Sequence, residues 1–466
     1  TSQQKDYAVY DASGNIVGAN IANSAETTWT SASNAYTMAA TNYANGTNQN
    51  DSITVNLTGN RTMAGLRNFG QNDTLNLGAN NLYTYGLLQG GRNSWTINSS
   101  GGAVSTPSGG GNLYITAGND DNNPFIQIYA PITDNGGAVT VVKSGYNNLY
   151  LRGTNSYTGG LVLNAGTTYL QTASAAGGGT ITFNGGSIDE DNTANFNLAN
   201  NPLTINADFS YNGSGNYSMN LGAGAVSLGT APGSTRNINV NNAATLTIGG
   251  IISNGTTANS LSKSGSGTLV LGGANLYTGG VSVTGGTLFL NNTSASLGAT
   301  TVTSGTLIAR NGSALGGNSN TAGVTVAAGR AFNYNALTDA QLAIGGNLAV
   351  TAGNTILGAS IGGTPTSAEI NVGLAATISN AAHKINIYGI NGVTPAAGTN
   401  TYTLIHGGTN SSLNPATAPT INAVYNNTGF TLGAAANFTR TATDLQLDIT
   451  SATPLTAAYW TGNATA

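Results

Sequence analysis

Apolar and polar residues alternate with a period of two in short runs along much of the chain. Two clear runs read LYL at residues 149–151 and LVL at residues 269–271. A period of two is typical of a β-strand that turns one face toward a core. The middle residues, Tyr150 and Val270, are therefore predicted to lie on the face opposite the core. The leucines predicted to be buried are Leu149, Leu151, Leu269 and Leu271.

A long internal repeat contains both runs. Residues 143–170 read KSGYNNLYLRGTNSYTGGLVLNAGTTYL, and residues 263–290 read KSGSGTLVLGGANLYTGGVSVTGGTLFL. The two segments align without a gap at an offset of 120, with 14 of 28 positions identical. Including the stretches before them, the related copies span 128–170 and 248–290, and a weaker relative begins at Thr74. Between the strands of each copy lie paired glycines, which supply backbone angles that turns require.

Short strands separated by Gly/Asn corners could form a sandwich, a barrel or a β-helix. The strands continue for most of the chain without a clear linker, and Asn and Thr at corners can stack from coil to coil. These features favour an all-β fold, a right-handed parallel β-helix (a solenoid) over residues 51–450, with a coil of about 20–24 residues.

Composition narrows the function. Only 6% of the residues are charged, 67 of the 466 are glycine, and the net charge is −4. A nucleic-acid partner is not expected, because it would require a basic surface. The sequence has no cysteine, so thiolate sites and disulfides are absent. It also has no run of 18 apolar residues, and a membrane-spanning helix is not expected.

The two ends differ from the middle. Residues 1–50 are interpreted as a cap or assembly segment, and residues 451–466 as a tail or docking segment. A helix face is one interpretation of the N-terminal spacing, and a looped strand region is the alternative. The residues on that face would be Trp29, Ser33, Tyr36, Ala40 and Tyr43. Head-to-tail self-association through the ends is the expected partnership; in the competing explanation, Trp460 begins another module of a longer protein.

Candidate chemistry is sparse. The acidic run Asp189, Glu190 and Asp191 could hold calcium or supply catalytic carboxylates, and so could Asp120 and Asp121. For both groups the favoured interpretation is a solvated loop that carries its charges outward. The histidines, His383 and His406, lack metal-ligand spacing and no Gly-x-Ser-x-Gly turn accompanies them. We therefore assign no catalytic, metal or cofactor-binding residue and expect no cofactor.

The chain contains 20 tyrosines. Exposed tyrosines can stack on sugars or dock a neighbouring molecule. Tyr157 and Tyr277 occupy equivalent corners of the two copies and are the candidates for such a role. Packing inside the corner is the favoured interpretation of both.

The copy at Lys263 resembles the autotransporter-associated β-strand repeat, also called the passenger-associated transport repeat. The resemblance rests on Lys-x-Gly-x-Gly-Thr-Leu-x-Leu, then Asn-x-Tyr-Thr-Gly-Gly, then Gly-Thr-Leu. The copy at Lys143 departs from this pattern at Asn147, Asn148 and Thr168. The resemblance implies a β-helical passenger, extracellular or on the surface of a Gram-negative-type bacterium, with no enzymatic activity attached to the repeat.

Three functions remain open. The favoured one is a secreted structural protein, a building block of an extracellular filament, sheath or layer assembled end to end. An adhesin-like binding module for cell-surface carbohydrate or a host surface is the alternative. A β-helical polysaccharide lyase or hydrolase is the third, and it is disfavoured because no long polar insertion interrupts the repeats.

Overall fold

A computed structural model describes the chain from residue 54 to residue 451, together with four short strands before residue 54. Within 54–451 the description omits residues 69–71, 91–92, 119–123, 191–193, 295–297, 318–320, 364–366, 391–392, 397 and 426–436. The chain forms two compact units. The first comprises residues 1–231 and 236–250, and the second comprises residues 232–235 and 251–466.

The described part of the first unit is built from short strands joined by turns and loops, and a 3₁₀ turn spans Ser214–Asn216. The strands are β1 (Ala8–Tyr10), β2 (Ile16–Gly18), β3 (Thr27–Trp29), β4 (Tyr43–Gly46), β5 (Thr54–Asn56), β6 (Arg61–Met63), β7 (Gly65–Asn68), β8 (Asp73–Asn76), β9 (Leu82–Thr84), β10 (Gly86–Gln89), β11 (Ser94–Asn98), β12 (Val104–Ser105), β13 (Gly111–Ala117), β14 (Phe125–Ile128), β15 (Val139–Ser144), β16 (Leu149–Leu151), β17 (Gly160–Leu163), β18 (Thr167–Leu170), β19 (Ile181–Phe183), β20 (Ser187–Asp189), β21 (Phe196–Asn197), β22 (Leu203–Ile205), β23 (Phe209–Tyr211), β24 (Met219–Asn220), β25 (Val226–Ser227), β26 (Thr235–Val240) and β27 (Thr245–Ile248).

The described part of the second unit is likewise built from strands. They are β28 (Ile252–Ser253), β29 (Ser260–Ser264), β30 (Thr268–Leu271), β31 (Val281–Leu290), β32 (Thr300–Ala309), β33 (Val324–Val326), β34 (Ala331–Tyr334), β35 (Leu342–Ile344), β36 (Leu348–Val350), β37 (Ile356–Ile361), β38 (Ile370–Val372), β39 (Ala376–Ile378), β40 (Lys384–Gly389), β41 (Gly398–Gly407), β42 (Thr420–Tyr425), β43 (Phe438–Arg440) and β44 (Asp444–Ser451).

Parallel pairing between successive coils confirms the all-β fold and the parallel β-helix. In the first unit one parallel sheet runs β3-β4-β7-β10-β13-β15-β17-β19-β22-β25, and a second runs β5-β8-β11-β14-β16-β18-β20-β23-β26. A third, short sheet contains β6, β9 and β12. Each coil therefore lays its strands on the coil before it.

The core is a set of inward rows in which each coil contributes one residue. One row of the first unit follows the pairing of β7 through β22. Its members are Leu66, Leu87, Ile115, Lys143, Leu163, Phe183 and Ile205. Most steps along this row fit the predicted coil length. The steps from Leu87 to Ile115 and from Ile115 to Lys143 are longer than predicted, so the expected coil is too short for these two.

The predicted strand faces of the two copies are confirmed. Leu149, Leu151, Leu269 and Leu271 are all fully buried. Tyr150 and Val270 alternate with them and are partly exposed. Leu149 continues an inward row, because it pairs with Ile126 on one side and Thr168 on the other.

In the second unit one inward row is apolar from Val283 onward, and the strand direction changes near the C-terminal end of the unit. This row passes from Val283 through Val302, Val326 and Val350 to Ile378. After residue 436 the described chain forms the antiparallel pair β43–β44, and β44 also pairs antiparallel with β41. A parallel sheet edge is thereby closed by a hairpin, one of the ways in which proteins protect strand edges.

The N-terminal helix is not formed at the positions where the structure describes the backbone. Trp29 is the last residue of β3 and Tyr43 is the first residue of β4, and the two strands pair in parallel. The looped strand alternative is therefore the correct one at both ends of the predicted helix face. The spacing of Ser33, Tyr36 and Ala40 lies outside the described residues, as does the predicted docking segment from residue 452 onward.

Candidate functional site: the repeated lysine corner and a buried acidic cluster

A buried lysine begins each copy of the repeat. Lys143 and Lys263 occupy inward positions, paired with Leu163 and Val283 of the next coil. Both side chains are fully buried. The alternation is consistent with this burial, because Val139, Val141 and Lys143 share one strand face. It was not expected, because lysine is almost never fully buried.

The ammonium group of each lysine bonds three backbone carbonyls. Lys143 Nζ donates to Ser144 O, Gly145 O and Ala165 O at 2.9, 2.8 and 3.0 Å. Lys263 Nζ donates to the carbonyls of Ser264, Gly265 and Gly285 at 2.6, 3.1 and 3.3 Å. Three donors thus meet three acceptors, and the third acceptor in each set belongs to the next coil.

Glycine is required directly beside the lysine. Gly166 has a φ of +71°, and a Cβ there would lie 2.8 Å from Lys143 Nζ and 2.5 Å from Asn147 O. Gly286 holds the same place in the second copy, with a φ of +57° and a Cβ position 2.9 Å from Lys263 Nζ. An L side chain would be strained and would also clash, so the corner selects glycine.

Burial disfavours the charged form of both lysines. It lowers the pKa of Lys143 to about 7 and that of Lys263 to about 8. The carbonyl bonds favour the ammonium form and oppose this shift without supplying a countercharge. The corner therefore contains a group that changes charge close to neutral pH.

The Asn-x-Tyr-Thr stretch forms a second clasp between coils. Asn155 accepts a bond from Ile132 N at 2.8 Å and donates to Ala175 O at 2.7 Å, which joins three successive coils. In the other copy Asn275 accepts from Ile252 N at 3.2 Å. The bond from the isoleucine N–H is thus repeated in the second copy at the offset of 120.

The threonine that follows each corner tyrosine, Thr158 or Thr278, is also bonded in a similar way in the two copies. Asp134 Oδ1 accepts from Thr158 N at 3.0 Å, and Asn254 Oδ1 accepts from Thr278 N at 2.8 Å. A carboxylate and an amide therefore hold equivalent threonines.

The corner tyrosines pack inside the coils. Tyr157 and Tyr277 are fully buried, so the favoured interpretation is confirmed and neither ring can receive a sugar from solvent. Burial raises the pKa of both hydroxyls. Tyr157 Oη lies 3.4 Å from Ala175 O, whereas Tyr277 Oη has no hydrogen-bond partner in the described structure.

A row of aromatic rings runs along the outside of β14, β16 and β18. Tyr150 and Tyr169 stack with their centroids 4.2 Å apart, and Phe125 meets Tyr150 edge-on at 5.4 Å. The Arg152 guanidinium lies 5.0 Å from the Tyr150 centroid and 5.2 Å from that of Tyr129. Neighbouring rings and the Arg152 guanidinium thus cover the faces of these rings. The row is better suited to stabilising the strands than to stacking on sugars.

The first two residues of the acidic run, Asp189 and Glu190, are buried, and the prediction of a solvated loop is wrong for both. Asp189 accepts from Ser214 N at 3.1 Å and from Ser214 Oγ at 2.6 Å. Glu190 Oε2 lies 2.5 Å from Tyr211 Oη. A loop of the following coil covers the two carboxylates, a contact between coils that local sequence does not reveal.

The remaining candidates are not brought together. His383 is buried beside Ser379, and His406 Nδ1 lies 2.8 Å from Asp444 Oδ1 on the β41–β44 pair. Asp191, Asp120 and Asp121 lie outside the described residues. Across the described ranges, no group of three potential metal ligands forms, and no helix there is long and apolar enough to cross a membrane.

The passenger-associated-transport-repeat family matches the chain at residues 141–168 and 261–290. These ranges contain both lysine corners and both Asn-x-Tyr-Thr clasps. The chain therefore carries two such repeats within a parallel β-helix, and these repeats are typical of autotransporter passengers, which are usually secreted or displayed on the cell surface. No curated protein and no solved structure matches the chain.

Proposed function

We propose that this chain is a structural passenger without catalytic activity, a building block of an extracellular filament, sheath or layer that assembles end to end. The supporting observation is how the repeats use their characteristic residues. Lysine, asparagine and tyrosine are buried in both copies, and the bonds of the lysines and asparagines go to backbone groups of the same and neighbouring coils. A ligand-binding repeat would direct such groups toward solvent.

The absence of catalysis belongs to the same proposal. Two of the acidic residues that invited an enzyme interpretation are bonded within the scaffold: both oxygens of Asp189 accept bonds from Ser214 or Glu190, and Glu190 Oε2 contacts Tyr211 Oη. Glycosidase chemistry needs two carboxylates that reach a substrate from solvent. Incubation with acidic and neutral polysaccharides should therefore release no reducing ends, and release that is lost in Glu190→Gln would overturn this point.

End-to-end contact is supported by the edge of the parallel sheet. β3 begins that sheet, and of the described strands only β4 pairs with it. Such an edge offers N–H and C=O groups to an added strand. Repulsion between copies is weak because the net charge is only −4.

Trimming tests the assembly model. The full chain and variants lacking residues 1–47 or 457–466 would be compared by electron microscopy and analytical ultracentrifugation. Fibres from the full chain, with monomers from both trimmed variants, would support the proposal. A monodisperse full chain at high concentration, in low and in high salt, would overturn it.

A binding role for carbohydrate has one specific observation in its favour. Tyr85, Tyr114 and Tyr146 are each more than 40% exposed, and all three belong to the first unit. Such rings can stack on sugars. A glycan array should show binding that Tyr114→Ala and Tyr146→Ala weaken while the melting temperature stays unchanged; an array without signal would dismiss this role.

A further inference from the structure

The hydroxyl of Tyr211 lies between two hydrogen-bond acceptors. Tyr211 Oη is 2.5 Å from Glu190 Oε2 and 2.8 Å from the backbone oxygen of Tyr217. A tyrosine hydroxyl has one proton. The Tyr217 oxygen belongs to a peptide group and can only accept, so the Tyr211 proton is needed there. The short contact to Glu190 then requires a second proton.

We propose that Glu190 is kept as a neutral carboxylic acid that donates to Tyr211, and that this proton latches the loop of residues 212–217 onto the coil that contains Glu190. The chain of bonds runs from Glu190 Oε2–H to Tyr211 Oη, and from Tyr211 Oη–H to Tyr217 O. When Glu190 loses its proton, the single proton of the Tyr211 hydroxyl faces two acceptors, Glu190 Oε2 and Tyr217 O. One bond of the latch is then broken.

The surroundings favour the neutral acid. Glu190 is 2% exposed, and its Oε1 has no hydrogen-bond partner in the described structure. The titratable groups that face Glu190 are Asp189 and Tyr211, and Tyr169 of β18 pairs with Asp189. Burial, with a smaller contribution from the Asp189 charge, raises the pKa of Glu190 to about 7.

A proton fits this cluster better than a metal ion. Asp189 Oδ1 already accepts from the backbone N–H groups of Glu190 and Ser214, and its Oδ2 accepts from Ser214 Oγ. Glu190 Oε1 is the carboxylate oxygen that remains open, whereas calcium takes six to eight oxygen ligands.

The sign of the pH effect follows from linkage. With the loop closed the pKa of Glu190 is about 7, and with the loop open it returns to the ordinary value of about 4.3. The closed form therefore binds more protons in this window. The equilibrium constant for opening rises about tenfold per pH unit between pH 4.3 and 7, and levels off above 7.

Amide hydrogen exchange of Ser214 measures the opening, because its N–H is held by Asp189 only when the loop is closed. Wild type and Glu190→Gln would be compared at equal pH from 4.5 to 8, so that the intrinsic exchange rate cancels. Glutamine can donate permanently to Tyr211, and its protection should not vary with pH. The ratio of wild-type to variant exchange should rise about a hundredfold from pH 4.5 to 7. Glu369→Gln, which removes a buried acid elsewhere, should keep the wild-type slope.

The opposite slope would overturn the latch. If Tyr211 donates to an ionised Glu190, protection rises with pH and Glu190→Gln exchanges faster than wild type at pH 7. Infrared difference spectra provide a test that does not depend on the variant's stability. A protonated-carboxyl C=O band that disappears as wild type is taken above pH 7, and is missing in Glu190→Gln, supports the proposal. A band unaffected by this replacement counts against it.

Discussion

Replacing Lys143 by methionine tests how the repeat tolerates a buried amine. The substitution keeps an unbranched side chain of similar length in an inward row, and it removes the three bonds to carbonyl oxygens. Each carbonyl left without a donor costs about 1–3 kcal/mol. Relief from burying an amine partly offsets this loss, so the balance depends on the protonation state of Lys143 and hence on pH.

The pH dependence can be worked out from the lowered pKa. Unfolded lysine titrates at about 10.4, and folded Lys143 at about 7. Between these values the unfolded chain binds more protons, so the free energy of unfolding rises as pH rises, with a limiting slope of about 1.4 kcal/mol per unit. From pH 7 to pH 9 Lys143 should contribute a gain of about 2 kcal/mol. Lys263, with a pKa of about 8, should contribute about 1.4 kcal/mol over the same interval.

Urea unfolding at pH 7, 8 and 9 measures these gains as differences between wild type and Lys143→Met or Lys263→Met. Lys384→Met is the matched control, because Lys384 is exposed and its removal should leave the slope unchanged. Since the chain has only four lysines, NMR of lysine labelled at its ε-carbon can follow each titration directly. If wild type and Lys143→Met keep parallel stabilities from pH 7 to 9, the carbonyl bonds hold the ammonium charged and the reasoning fails.

Three further substitutions probe the corners by urea unfolding. Asn155→Ala removes both clasp bonds and should lower the free energy of unfolding by about 2–4 kcal/mol; a loss below about 0.5 kcal/mol would contradict the clasp. Tyr277→Phe deletes a buried hydroxyl without a described partner and should stabilise by about 1 kcal/mol, whereas Tyr157→Phe should change little or cost slightly. Gly166→Ala should cost at least about 2 kcal/mol, while Gly178→Ala, with its nearest neighbour 3.8 Å away, should be nearly neutral.

The alternation of apolar and polar residues was enough to predict the strands and their buried faces. It was not enough to predict the length of the corners. A period of two depends only on local geometry, and it located the buried faces of Leu149 and Leu269 correctly. Coil length depends on how far each corner extends, and corners vary. The coils that end at Ile115 and Lys143 are longer than predicted, because strand periodicity places no limit on the loops between strands.

Side-chain environment proved harder to predict than strand position. Asp189 and Glu190 were expected to face solvent because carboxylates usually do. They are buried because residues 211–217 of the next coil lie over them and supply Tyr211 and Ser214 as partners. The burial of Lys143 was not predicted for a related reason, since backbone carbonyls of its own and the next coil replace the water that an amine normally needs. In both cases the partner is set by stacking, which sequence periodicity does not encode.

Stacking also accounts for the low charge of the chain. Equivalent positions in neighbouring coils lie about 4.8 Å apart, and two like charges at that distance repel by nearly 1 kcal/mol even in bulk water. An amide avoids this cost because it donates on one side and accepts on the other. Asn206 donates to Asn184, and Asn184 donates to Asn164, both at 3.0 Å. A fold that repeats every coil therefore favours asparagine over aspartate or lysine along its outer rows. A charged residue is tolerated where a corner supplies specific partners, as at Asp134, which accepts bonds from Thr158.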